Sequence, residues 1–347
     1  MIVWFTSGQS LTACLKPILW FAAPFLVGIV VLSLFLVLCA DRLSALSIFC
    51  SALFLLSLLV HFTHIPLAAG LIVVAAWASR IGWSVPSAGL RRAVACLVLA
   101  VVMIPLTNRA LAGRWFVSDA TPNMLLDRLL AQGIAQKLLA ERCSGTAYAL
   151  CAYQSNLPEI PGRYLWDPRS PFTRVGGWQS GPEASRLVRD TVRAYPLLVL
   201  RGTAKAFGSQ LTSFRSFADA ERFGEGTGIN YEVATRLPRE HARYLHSRQQ
   251  QGRLNTVAFR ALHMWVGVLS AIAVSYLAVA LRRKRRQEAV LHLLCMAAVV
   301  VNAGVIAAAG SPDDRYAARL MWLLTFSFLL WLEGARAAYL AASPPRS

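Results

Sequence analysis

Acidic side chains are scarce in this chain: 17 Asp and Glu stand against 35 Lys and Arg, a formal net charge of +18. All charged residues together make up 15% of the sequence against 56% hydrophobic, with a mean hydropathy of +0.50. So little charge over 347 residues excludes an ordinary soluble domain, because long apolar runs without charges read as membrane-spanning helices. No basic domain stands free of those runs, which sets nucleic acid aside as a partner. Anionic lipid headgroups and phosphate-bearing ligands remain as partners for the excess positive charge. The chain also lacks a Cys-x-x-Cys motif, a Ser-His-Asp order, a nucleotide fingerprint, zinc-finger spacing and an internal repeat of the transporter kind. The glycine run "GEGTG" (224–228) has no Lys after it and no strand before it, so it is a flexible loop and not a phosphate loop. The N-terminus has no positive n-region, and its first apolar run is too long for a cleavable signal peptide.

The apolar runs predict an all-α polytopic integral membrane protein with about seven transmembrane helices, at 17–39, 43–60, 65–79, 91–107, 257–281, 289–309 and 318–341. Three regions follow: an N-terminal membrane region of four spans (1–107), a mostly helical external domain (108–255) and a C-terminal membrane region of three spans (256–347). Cys14, Cys39, Cys50, Cys96 and Cys295 fall in or beside the spans and act as small hydrophobes. The "RRKRR" run, Arg282–Arg286, makes the loop between the fifth and sixth spans cytoplasmic. Arg80, Arg91 and Arg92 beside the third and fourth spans agree, as does Arg42 after the first. The expected location is a bacterial-type inner membrane, with 108–255, "HFTH" (61–64) and 310–317 on the periplasmic side. Such a topology puts the N-terminus outside. Nothing in "MIVWFTSGQSLTACLK" explains its translocation, so a longer relative is expected to carry spans upstream.

Within 108–255, "TPNMLLDRLLAQGIAQKLLAER" (121–142) predicts one helix, with Thr121 as N-cap, Pro122 just inside, Asp127 in the early turns and Arg142 at the end. Residues 182–211 predict a second helix, kinked at Pro196. On it Arg186, Arg189 and Arg193 share one face, while Val188, Val192, Tyr195 and Val199 share the opposite one. Such a helix can lie flat on the membrane, apolar side down, with its arginines at headgroup level. A third helix is expected at 238–251, and the Pro/Gly/aromatic-rich 156–182 stretch reads as ordered loop. Cys143 and Cys151, separated by "SGTAYAL", can close a structural disulfide in an oxidising compartment.

The densest chemistry lies in "GSPDDRYAARLMWLL" (310–324), where a polar run opens the last span. Arg315 and Arg319 sit one helical turn apart and can both grip one phosphate. Asp313 or Asp314 can act as general base or metal ligand, and Tyr316 can hydrogen-bond a phosphate or sugar. The alternative is an ordinary polar loop between spans. An Arg-Tyr pair opening a late membrane helix, after a long external domain, resembles the polytopic glycosyltransferases of the GT-C type. The resemblance covers the general layout and one short motif, "DDRYAARLMWLL". It implies sugar transfer from a polyprenyl-phosphate donor on the outer face, with the motif's arginine meeting the lipid phosphate. The amphipathic external helix has counterparts in that class. The class carries its catalytic acid in the first external loop, whereas residues 1–16 and 61–64 here contain no Asp or Glu. The chain therefore resembles an N-terminally truncated or degenerate member, with Asp313 and Asp314 left to substitute.

His61 and His64, three apart, would point the same way on a helix, at the external mouth of the second and third spans. No third ligand is close in sequence, so a satisfied interfacial pair, or contact with substrate, is preferred over a divalent metal, and no cofactor is assigned. Glu333 and Arg336 are expected as a buried pair on the last span. Three readings follow. The first is a glycosyltransferase acting on a lipid-linked sugar phosphate, held by Arg315 and Arg319 with help from Arg186, Arg189 or Arg193. The second is a non-catalytic lipid-binding or assembly subunit of an envelope polysaccharide system, with protein partners. The third, a transporter or flippase, ranks last because most spans are nearly free of ionisable residues.

Overall fold

The computed structural model describes residues 26–40, 44–145, 148–216, 220–224 and 228–342. The start of the first expected span (17–25), Cys14, Arg42 and most of the 224–228 glycine run lie outside the described residues. Every regular element among the described residues is helical. In chain order the α-helices are α1 (Leu26–Cys39), α2 (Ala45–Val60), α3 (His64–Arg80), α4 (Ser87–Ala112), α5 (Thr121–Ala131), α6 (Ile134–Arg142), α7 (Arg163–Trp166), α8 (Gly181–Ala194), α9 (Pro196–Thr212), α10 (Gly228–Arg236), α11 (Pro238–Leu245), α12 (Val257–Ala280), α13 (Arg286–Ala309) and α14 (Asp314–Ala342). Four of them, α4, α12, α13 and α14, are long and apolar enough to cross a membrane, and α1 to α3 are shorter apolar helices. That is the character of an α-helical membrane protein.

The chain forms two compact units. The first holds Met1–Ser118, Ala261–Asn302 and Tyr316–Ser347; the second holds Asp119–Arg260 and Ala303–Arg315. The polar hairpin after α13, read from sequence as a loop between spans, thus belongs to the second unit.

In the first unit Leu34, Leu38, Phe54, Leu58, Leu71 and Leu323 lie in one buried cluster. Small residues let backbones approach: a Cβ on Gly89 of α4 would run into the Leu38 carbonyl oxygen of α1. Arg92, one turn later, donates to the Val37 and Ala40 carbonyls and so satisfies acceptors that the end of α1 leaves open. Polar side chains cross-link other helices. The Ser270 and Thr325 hydroxyls lie 3.0 Å apart, and Asn302 Nδ2 donates to the Tyr316 carbonyl at 3.1 Å. Such bonds hold helices together where apolar burial alone gives no preference over lipid. Glu333 and Arg336 pair at 3.7 Å but are 71% and 70% exposed, so the expected burial of that pair does not occur.

In the second unit α8 packs on α5 and α6 around Leu126, Leu130, Leu138, Leu139, Tyr164 and Leu187. The helix expected over 121–142 is two helices. Gly133, at φ 74°, occupies the left-handed region that a side chain resists, and it ends one helix and starts the next. Thr121 is the first helical residue and not the cap; Ala120 precedes it with no side-chain cap bond. The kink expected at Pro196 is a full break at Tyr195 (φ −132°, ψ 54°), because a residue before proline is pushed out of the helical region. α8 buries Ala184, Leu187 and Thr191 in the protein core, and Val192 is exposed. Val188, Tyr195 and Val199 pack in part against that core, so protein covers three of the four residues expected to face the membrane. The third expected helix is shorter, ending at Leu245, and α10 precedes it. Asp127 accepts a bond from the Gly162 amide at 2.9 Å and pins the 156–182 stretch, whose Tyr164 and Phe172 are buried in the same core.

Candidate functional site

The polar hairpin is held by α9 and by the segment that follows it. Gln210, fully buried near the end of α9, uses its amide in both directions. Its Nε2 donates to the Asp313 carbonyl at 3.0 Å, and its Oε1 accepts from the Asp313 amide at 2.9 Å. Asp314, 9% exposed, accepts from the Arg215 amide at 3.0 Å and from Arg215 Nε at 2.9 Å. Asp313 accepts from the Arg315 amide at 3.0 Å, and its other oxygen lies 3.4 Å from Arg315 Nε. From α5, Arg128 donates Nη1 to the Ala308 carbonyl at 2.5 Å. Each hairpin carboxylate thus has a guanidinium partner, so its negative charge is already balanced within the protein.

Arg315 and Arg319 keep their one-turn spacing on α14 but engage different groups. Arg315 pairs with Asp313, whereas the Arg319 guanidinium lies 4.8 Å over the Tyr316 ring in the first unit. Arg186, Arg189 and Arg193 are exposed on α8, opposite its buried face. Arg186 stacks 4.9 Å over the Tyr148 ring, and the Tyr148 hydroxyl donates to Asp190 at 2.7 Å, which steadies that end of the row. Cys143 and Cys151 form a disulfide with Cα atoms 5.5 Å apart.

His61 does not share a helix with His64. It sits in extended backbone after α2 (φ −144°, ψ 127°), and His64 opens α3. Their rings still meet at 5.3 Å between centroids. His64 Nδ1 donates to the Ser57 carbonyl at 2.7 Å, and His61 Nδ1 pairs with the Thr63 hydroxyl at 2.7 Å. Among the described residues no group of three or more His, Cys, Asp or Glu side chains is placed to hold a metal ion.

The hairpin residues Asp313, Asp314 and Arg315 come together as a cluster, but their partners are absent from the sequence expectations. Gln210 and Arg215 lie about 100 residues away in the chain, at separations of 103 and 99, and Arg128 reaches the neighbouring Ala308 across 180. No local spacing signals them. No protein-family model matches the chain, and neither curated proteins nor solved structures give a match.

Proposed function

We propose that the protein is a membrane component of envelope glycan or glycolipid biosynthesis that binds a lipid-linked sugar phosphate on the external face of a bacterial-type inner membrane. The observation that carries this reading is the exposed row of Arg186, Arg189 and Arg193 on one face of α8. Guanidinium groups bind phosphate oxygens in a bidentate manner. The second unit is taken as periplasmic: the Cys143–Cys151 disulfide suits an oxidising compartment, and Arg282–Arg286 suits the cytoplasmic side. The full-length protein in nanodiscs, offered a photoactivatable polyprenyl-phosphate sugar, tests this. Replacing Arg186, Arg189 and Arg193 together by Ala should lower capture about tenfold or more while insertion stays normal. Undiminished capture would end the reading.

Sugar transfer from that ligand, as the GT-C resemblance implies, is the second reading. Asp313 favours it: its side chain is 37% exposed and its contact with Arg315 Nε is a long 3.4 Å, which leaves a lone pair for an acceptor hydroxyl. Transfer activity lost in Asp313→Asn with capture retained would make this the better account. Absence of transfer in the unmodified protein would leave binding alone.

A further inference from the structure

The second unit contains a cleft of about 610 Å³ that none of the sequence-derived site residues lines. That volume is in the range of small-ligand sites. Its walls come from α5, α6, α9 and the hairpin. Arg128, Lys137 and Lys205 bring three cations to it, Gln132, Ser209 and Ser311 bring hydrogen-bonding groups, and no carboxylate lines it.

Arg128 is the buried member, at 4% exposure. Its Nη1 donates to the Ala308 carbonyl and its Nη2 to the Thr203 hydroxyl, but its buried Nε donates to nothing. No carboxylate forms an ion pair with it among the described residues. A buried cation whose bonds go only to neutral oxygens has lost hydration without gaining a counter-charge, which is costly. The burial also lowers the Arg128 pKa from its ordinary value. Lys205 is exposed on α9, and Lys137 on α6 lies 4.9 Å over the Tyr195 ring. α9 approaches the end of α5 closely because position 202 is glycine: a Cβ there would stand 2.6 Å from Gln132 Oε1.

We infer that this cleft is a binding site for a phosphate-bearing anion. A phosphate presents several charged acceptor oxygens, and the cleft presents three cationic donors with hydroxyl and amide groups between them. The anion would complete the charge balance that Arg128 lacks. The same chemistry is carried by a free phosphate and by the headgroup of a lipid. This site goes beyond the proposed function, because it uses none of the α8 arginines.

The test is titration of the full-length protein, held in phosphatidylcholine nanodiscs, with inorganic pyrophosphate. A second arm uses nanodiscs containing phosphatidic acid and reads the rise in thermal midpoint. Saturable pyrophosphate binding would support the site with a free phosphate as ligand. A midpoint rise with phosphatidic acid alone would support it with a lipid headgroup. In either arm Lys137→Ala and Lys205→Ala should each weaken the response about tenfold, since a hydrogen bond to a charged group is lost. Both side chains are exposed, so the core stays intact where Arg128→Gln disturbs it. No response in either arm, or a response that ignores both lysines, overturns the inference. The α8 triple variant reports on the arginine row and the lysine variants on the cleft, so either proposal can fail alone.

Discussion

Around its buried apolar cluster the first unit exposes many large apolar side chains, whereas the second sets a row of arginines over its apolar core. Phe49, Trp77, Leu269 and Ile272 are exposed on the first, while Ser33, Ser57, His292 and Ser327 are buried in it. The second buries Leu126, Leu130 and Leu187 and exposes Arg186, Arg189 and Arg193. Lipid rewards the first arrangement and water the second. The contrast shows where each unit's specificity comes from. Backbone proximity and a few polar cross-links hold the first. A side-chain core, a disulfide and buried side-chain hydrogen bonds hold the second.

The sharpest way to break the first arrangement is to add volume at Gly89. Gly89→Val should drive a side chain into the Leu38 carbonyl and cost about 3 kcal/mol or more, read as a fall in thermal midpoint in detergent. An unchanged midpoint would mean that α1 and α4 separate without cost.

In the second unit Asp127 gives the next effect. Burial pushes its carboxyl from 3.8 up to about 6, against the opposing bonds from the Gly162, Tyr164 and Leu165 amides. The folded pKa lies above the unfolded one, so its contribution to stability is fully present below the unfolded pKa and is lost as pH rises through about 6. That rise corresponds to at most about 3 kcal/mol. Denaturant midpoints at acidic and neutral pH should therefore differ for the unmodified protein, and Asp127→Asn should flatten that difference. Replacing Cys143 and Cys151 by Ser should cost about 2 kcal/mol, because only a short loop is closed. A larger loss would mean that the disulfide also positions the core. The smallest effect belongs to the α8 arginines. Each exposed arginine changed to Ala should move stability by less than about 0.5 kcal/mol, so that their loss is felt in ligand capture and not in folding.

Much of the helical layout was legible in the sequence, since apolar runs near 43–60, 65–79, 91–107, 257–281 and 289–309 carry α2, α3, α4, α12 and α13. Hydropathy works there because the backbone has no partner but itself in lipid. The second unit was harder. Residues 121–142 look like one amphipathic helix until Gly133 is recognised as a left-handed joint, and a periodic pattern hides that joint. α8 has the stripe of a membrane-surface helix, but a stripe does not say whether lipid or protein covers it. At the candidate site the cluster Asp313-Asp314-Arg315 was visible, yet its chemistry was not. Arg215 is the partner of Asp314, and a contact over 99 residues leaves no local trace.

Gln210 treats the Asp313 peptide as an adjacent strand would, with one bond in each direction. α14 begins one residue beyond Asp313, whose amide and carbonyl are both held by Gln210 of α9, so displacing Asp313 breaks two bonds at once. Lys205 and Ser209 lie on the same α9, and Ser311 and Pro312 sit on the gripped hairpin. The cleft and the grip on the Asp313 backbone therefore share one helix and one hairpin.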